Sequence, residues 1–233
     1  MNTNEDRERN FIIIGGCHVA GFGAEGNRSF IDIVENKLNL KCVFKKSNFE
    51  LKHINRLNFI LDNYKSNLIF VQLGNNEFNA SLMHLFPKKN VNITAHTSKI
   101  TSVDNNTFNW RNNFLCFFGV SFVKLMLGYV IWMNEKKENK KYLLEFQDII
   151  NKKANKTFVI ISPFPTNYRP SNITRRNAGK LYRYLFDDYP NVIFIDSYDQ
   201  FSVSNRMFFD RYHLNAKGHE QLGLNIGKVF GIF

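Results

Sequence analysis

Apolar and polar positions alternate between two rhythms along the chain. Phe11–Gly15 is a short branched-apolar run closed by Gly15-Gly16, which predicts a buried strand. Ser29–Leu38 places Phe30, Ile31, Ile33, Val34 and Leu38 on one helical face. Lys41–Phe44 reads as a second strand, and Leu51, Ile54, Leu57, Ile60 and Leu61 form a helical stripe at spacings of three and four. Asn67–Leu73 is a third strand, with Leu68, Ile69, Phe70 and Val71 apolar in succession, as in parallel sheets covered on both faces.

After Gly74 the rhythm breaks. Lys88–Asn109 is polar and turn-rich, and a helical stretch follows from about Arg111 to Lys153, as one helix or as two divided at the charged run Glu135–Lys141. Thr157–Ile161 is the fourth strand, stopped by Ser162-Pro163-Phe164-Pro165; Ile173–Leu185 is a helix, and Val192–Ile195 the fifth strand. Asn215–Val229 is a last helix with Leu222, Leu224, Ile226 and Val229 as apolar contacts. Strands alternating with helices predict an α/β fold: a three-layer α/β/α sandwich around a mostly parallel five-stranded sheet. Residues 1–233 read as a single domain, long enough to bury one large core. A helical lid or interface region is inserted at about 84–140.

Within that region Phe114–Met133 is nearly all apolar, Ser121 and Lys124 being its clearly polar residues. Lys124 near the middle would cost about 2.5–3.5 kcal/mol in a bilayer, so a buried helix or self-association face is expected rather than a membrane span. Trp110, Phe114, Phe117, Phe118, Phe122 and Trp132 suit an acyl pocket, a lid or a homodimer face through residues 110–133. Contact with a membrane is not expected. The first apolar run is too short for a signal peptide, so a cytoplasmic protein is expected. Three cysteines do not suggest a disulfide framework. Lys and Arg exceed Asp and Glu to give a formal charge of +11, which favours anionic partners. Pairs such as Lys45-Lys46, Lys88-Lys89 and Lys140-Lys141 are dispersed with no reader motif around them, so nucleic acid is not the expected partner.

Ligands of open parallel sheets sit at the carboxyl ends of the strands. Gly15-Gly16-Cys17-His18-Val19-Ala20-Gly21-Phe22-Gly23 follows the first strand, Gly74-Asn75-Asn76-Glu77 follows the third, and Asp210-Arg211-Tyr212-His213 precedes the last helix. Cys17, at a strand end that opens a turn, faces unpaired backbone N–H groups that favour a thiolate. His213 can take the thiol proton, and Asp210 can fix the imidazole through its other nitrogen. Asn76 offers a side-chain donor to a developing oxyanion, beside the backbone N–H of Cys17. No grouped His, Cys and carboxylate spacing fits a metal site.

At these three points the chain resembles the SGNH, or GDSL-like, hydrolase superfamily, whose fold is flavodoxin-like. Gly15, Gly16 and Cys17 stand where that family carries Gly-Asp-Ser, with cysteine at the nucleophile position; Gly21 and Gly23 match its later glycines. Gly74, Asn75, Asn76 and Glu77 match its Gly-x-Asn-Asp, and Asp210 and His213 its Asp-x-x-His. The resemblance implies a Cys17-His213-Asp210 triad. It also implies an oxyanion hole from Cys17, Asn76 and the loop after the second strand, where Ser47 or Asn48 replaces the family's glycine. Gly16, His18, Gly74 and Asn75 are the expected substrate-binding positions, although His18 and His219 also read as satisfied helix-end histidines. Gly16 in place of the family's Asp removes a bracing side chain, and Glu77 reads as structural. The expected activity is acyl transfer from an ester or thioester through an acyl-cysteine: an acyltransferase, esterase or thioesterase. No cofactor is expected beyond an acyl-coenzyme A or acyl-carrier-protein thioester as co-substrate. The alternative is a degenerate domain that binds an acyl or glycan ligand without turning it over.

Overall fold

The structure, a computed structural model, describes residues 9–24, 26, 28–81, 119, 121–200 and 205–230. Its strands are β1 (Arg9–Gly15), β2 (Leu40–Lys46), β3 (Leu68–Gln72), β4 (Thr157–Ile161) and β5 (Val192–Ile195). They form one sheet in the order β2-β1-β3-β4-β5, every neighbouring pair parallel. The principal helices are α1 (Phe30–Leu38), α2 (Arg56–Asn63), α3 (Gly128–Lys152), α4 (Arg169–Phe186) and α5 (Ala216–Val229).

The period-two pattern of β1 assigns its side chains to two cores. Phe11 and Ile13 face α1 and α5 together with Phe30, Val34, Leu222 and Ile226. Ile12 and Ile14 face α2, α3 and α4 together with Leu57, Phe146, Ile149 and Tyr182. The result is the expected three-layer α/β/α sandwich. Local chemistry sets the element ends. Ser29 opens α1 by donating its backbone N–H and hydroxyl to Asp32 Oδ2, and Asn39 closes it in the left-handed region at φ 48°. Asn215 caps α5, its Oδ1 accepting from Gly218 N–H at 3.0 Å.

Two expectations are corrected, and the open choice between one helix and two at Glu135–Lys141 is resolved. The stripe Leu51–Leu61 is not one helix but a 3-10 turn, Leu51–His53, followed by α2. α3 runs unbroken through Glu135–Lys141, because Glu135 and Asn139 turn inward and are buried. Val229 is 43% exposed, leaving Leu222 and Ile226 as the buried contacts of α5. The expected lid or interface at about 84–140 lies largely outside the described residues, as do Lys88–Asn109 and Trp110, Phe114, Phe117 and Phe118.

The helical run 121–133 is also not a buried helix. Phe122, Met126, Tyr129, Val130 and Met133 are 43–70% exposed. Among the described residues no helix is long and apolar enough to cross a membrane. The strand order reverses between β1 and β3, which opens a crevice at their carboxyl ends. The Cys17 turn and the Asn76 turn both leave the sheet there.

Candidate active site

β1 ends against β3 so closely that a Cβ on Gly15 would come within 2.6 Å of Gln72 O and Val19 Cγ2. This approach sets Cys17 at the start of a 3-10 turn, Cys17–Ala20, which Gly21 closes at φ 77°. The loop after β2 is pinned alongside, Phe49 N–H donating to Gly15 O at 2.8 Å. In that loop Asn48, not glycine, occupies the left-handed region at φ 57°. The backbone shape the family obtains from glycine is thus available here from an asparagine, which tolerates it better than most residues. Ser47 beside it is half-buried.

Asp210 builds the turn that carries His213. Its Oδ1 accepts from Tyr212 N–H and His213 N–H at 2.7 and 2.8 Å, and its Oδ2 accepts from His213 Nδ1–H at 2.7 Å. One carboxylate therefore fixes the loop, the ring and its tautomer. Asp210 holds Nδ1, which leaves Nε2 as the ring nitrogen that can serve the thiol, and Cys17 is near enough to His213 to favour its charged form. Burial works against a charged His213, but the Cys17 thiol and the Asp210 carboxylate prevail and raise its pKa above the usual imidazole value. Burial likewise opposes a charged Asp210, yet its hydrogen bonds from His213 and from the Tyr212 and His213 backbone hold its pKa below the usual carboxylate range. Phe22 covers the His213 ring, with centroids 4.4 Å apart.

Of the expected substrate-binding positions, His18 and Asn75 are buried and face each other instead. Asn75 Oδ1 accepts from Phe164 N–H at 2.7 Å, so its NH₂ points to His18 and donates to Nδ1 at 3.1 Å. The Cys17 thiol lies 3.7 Å from the same Nδ1. His18 is therefore neutral, protonated on Nε2; burial and the neighbouring His219, His213 and Arg175 hold its pKa well below the usual value. Among the described residues no acceptor meets Nε2 in hydrogen-bonding geometry, although the Tyr212 backbone is near enough to favour the charged form slightly. Gly74 is buried too, at φ 98°, where a Cβ would strike Pro163 and Tyr182. These three brace the site from behind. Gly16 is half-buried with open space at its Cβ position, 3.9 Å from Gln72 Oε1. The Gln72 amide is buried with no hydrogen-bond partner among the described residues, consistent with a bracing side chain missing at position 16. Asn76 is exposed at the crevice.

Two buried ions behind the Asn75–Asn76 turn were not singled out from sequence. Arg175 on α4 donates to Phe164 O at 3.0 Å, Asn75 O at 2.6 Å and Asn79 Oδ1 at 3.2 Å. Burial lowers its pKa to about 10, so it stays charged at neutral pH. Glu135 on α3 accepts from Ser81 N–H at 3.0 Å, beside a strained Ala80 at φ 52°. Glu77 is structural as expected, its Oε1 accepting from Leu51 N–H at 2.5 Å. His219 is a satisfied histidine, accepting from Phe30 N–H at Nδ1 and donating from Nε2 to Phe22 O.

His219 and Glu135 answer acidification with opposite signs. Burial pushes His219 down to about 4, so the unfolded chain takes that proton first and stability falls as pH drops below about 6.5. Burial pushes Glu135 up to about 7, against the N–H groups of Ser81, Asn79 and Ala80 and the charge of Arg175. The folded chain takes the Glu135 proton first, so stability present below about 4.5 is lost as pH rises through about 7. Between pH 7 and 5 each effect is about 2 kcal/mol, at roughly 1.4 kcal/mol per pKa unit, and the two nearly cancel. Glu135→Gln removes one of them. Urea unfolding should then show the variant losing about 2 kcal/mol more than the parent over that interval, and equal pH slopes would refute the assignment.

No protein-family model matches the chain, and no curated protein matches it. Solved structures do, over nearly the whole length. A protein assigned to the lipolytic G-D-S-L family from Desulfitobacterium hafniense DCB-2 is similar with a TM-score of 0.57 and 8% identity, over 95% of this chain and 99% of that one. The fold is that of the SGNH hydrolases. A lipase from a goat rumen metagenome (TM-score 0.58, 16% identity, 94% and 96% covered) is similar in the same way. So is an acetylxylan esterase from Geobacillus stearothermophilus (0.58, 14%, 96% and 94%). In this SGNH fold the crevice between β1 and β3 carries a thiol where the resemblance calls for a hydroxyl.

Proposed function

We propose that the chain is an acyl-transfer enzyme that opens an ester or thioester through an acyl-cysteine intermediate on Cys17. The observation that supports this reading is the Asp210–His213 hydrogen bond at the same end of the sheet as Cys17, with Cys17 close enough to His213 to raise its pKa. His213 Nε2 takes the thiol proton as sulfur attacks the carbonyl carbon. A C–S bond forms, and the carbonyl π pair moves to oxygen. That oxyanion meets the Cys17 backbone N–H, the Asn76 side chain and the backbone of the Ser47–Asn48 loop. When the oxyanion collapses, the alcohol or thiol leaves with the proton from His213. A second nucleophile, water or an acceptor alcohol or amine, then gives its proton to His213, attacks the thioester carbonyl and releases Cys17. Asp210 holds the ring and the charge throughout. The similar solved structures include a lipase and an acetylxylan esterase, which supports an ester carbonyl as electrophile. A coenzyme A or acyl-carrier-protein thioester also suits a thiol nucleophile, and its negative charge suits the +11 balance.

A domain that binds an acyl or glycan ligand without turnover is the competing reading, favoured by the unbraced Gln72 beside Gly16. Intact-protein mass after incubation with aryl esters and short and long acyl thioesters separates the two. The expected result is one acyl adduct on the parent protein and none on Cys17→Ala, with added amines or alcohols telling transfer from hydrolysis. No adduct from any donor, with iodoacetamide reacting no faster than with free cysteine, would establish the binding domain instead.

A further inference from the structure

The helical run 121–133 exposes Phe122, Met126, Tyr129 and Met133 at spacings of four, three and four, with Val130 beside them, so they share one face. Soluble proteins rarely leave so contiguous an apolar face in water without a use for it. Its position is specific. Ser121 Oγ lies 3.3 Å from Tyr168 OH, Lys124 Nζ sits 5.6 Å over the Tyr168 ring, and Tyr168 packs on Tyr212, the neighbour of His213. On the other side of His213, Phe22 and Phe209 are 40% and 64% exposed and pack edge-to-face. Exposed apolar side chains thus flank the mouth of the site.

Charge selects the occupant. Residues 119–134 contain one side chain charged at neutral pH, Lys124, and no carboxylate. Lys136, Lys137, Lys140 and Lys141 follow on the same helix; of the two glutamates among them, Glu135 is buried. Two copies of so cationic a helix end repel each other, whereas an anionic surface attracts it.

We propose that this face docks the mouth of the site on an anionic lipid surface, which presents an acyl lipid to Cys17. The docking stands on exposure and charge alone; the acyl-lipid substrate rests on the acyl-transfer reading above. An apolar helical face beside lysines is the chemistry of helices that lie in the headgroup region, and a dispersed ester within reach of such a face would be drawn from the bilayer rather than from solution. On this proposal the face meets lipid instead of the second copy expected through residues 110–133.

The test is flotation of the full chain with vesicles of phosphatidylcholine, with and without phosphatidylglycerol. The expected result is binding to the phosphatidylglycerol vesicles that salt weakens, and that Phe122→Ser with Met126→Ser lowers by about ten-fold. Turnover of a soluble aryl ester should be unchanged in that variant. Failure to float, or flotation indifferent to the double substitution, overturns the proposal. So does a dimer in sedimentation that the same pair of substitutions dissolves, which would assign the face to a second copy. A chain that floats as expected but turns over no ester would leave the docking standing and refute the acyl-transfer reading.

Discussion

Cys17→Ala should lower kcat/KM for an activated ester by about 10⁴-fold or more, the scale seen when the nucleophile of a triad is removed and only binding and the oxyanion hole remain. The loss should not reflect unfolding. Asp210 still holds the turn through Tyr212 N–H, His213 N–H and His213 Nδ1, and none of those bonds involves sulfur. A second readout ties the loss to the proposed triad. The Cys17 side chain is a leading cause of the raised His213 pKa, so its removal should bring the His213 titration down toward the ordinary imidazole value while Asp210 keeps it from falling further. Proton NMR of the ring follows that shift without any substrate. A fall in turnover with no movement of the His213 titration would place the two side chains apart in solution and remove the triad. Cys17→Ser separates sulfur chemistry from geometry, because a hydroxyl is the nucleophile that the SGNH fold ordinarily carries at this point and His213 can serve either.

What sequence made legible follows from where the chemistry is local. β1, β3 and β4 are short unalternated apolar runs, and such runs have few folds in which both faces are covered, so the parallel sheet could be read directly. The Asp210–His213 turn was equally legible, since a carboxylate three residues before a histidine can bond both its backbone and its ring. Groups whose role depends on distant partners were not. Arg175 stands among Arg176, Lys180 and Arg183 on α4 with nothing to distinguish it, and its partners Asn75 and Asn79 lie about a hundred residues earlier. Glu135 opens a run of lysines and glutamates that reads as a solvated divide, but helical spacing turns Glu135 and Asn139 to the inner face with Leu143 and Phe146. Of the two readings of the apolar run before it, the exposure of Phe122 and Met126 removes the buried helix and is compatible with a self-association face, because hydrophobicity without a partner segment does not say which side is covered. His18 needed the Asn75 amide orientation, and that is set by the Phe164 backbone on another strand end.

Arg175→Met should destabilise the fold by about 3–5 kcal/mol, the range for removing one partner from a buried ionic network. Methionine fills much of the same volume, so the cost is electrostatic rather than a cavity. Phe164 O and Asn75 O lose the guanidinium that donates to them, among the described residues Asn79 Oδ1 keeps only the Ser171 hydroxyl, and Glu135 loses the cation that favours its ionised form. Asn75 also carries the hydrogen bond to His18, so the disturbance passes from α4 through the turn after β3 to the residue behind Cys17. Arg175→Lys should recover only part of the loss, since one ammonium cannot span carbonyls that the guanidinium fork meets together. The ionic part can be isolated with a double-mutant cycle. In Arg175→Met with Glu135→Gln no buried carboxylate is left without its cation, and the pair should cost less than the sum of the single changes. Urea unfolding midpoints at pH 8, where Glu135 is largely ionised in the parent, give that coupling its largest value. Additive costs there would mean that Arg175 acts on the Asn75 turn alone, and a single-variant cost under about 1 kcal/mol would mean that water replaces the guanidinium in a core that is less closed than its burial implies.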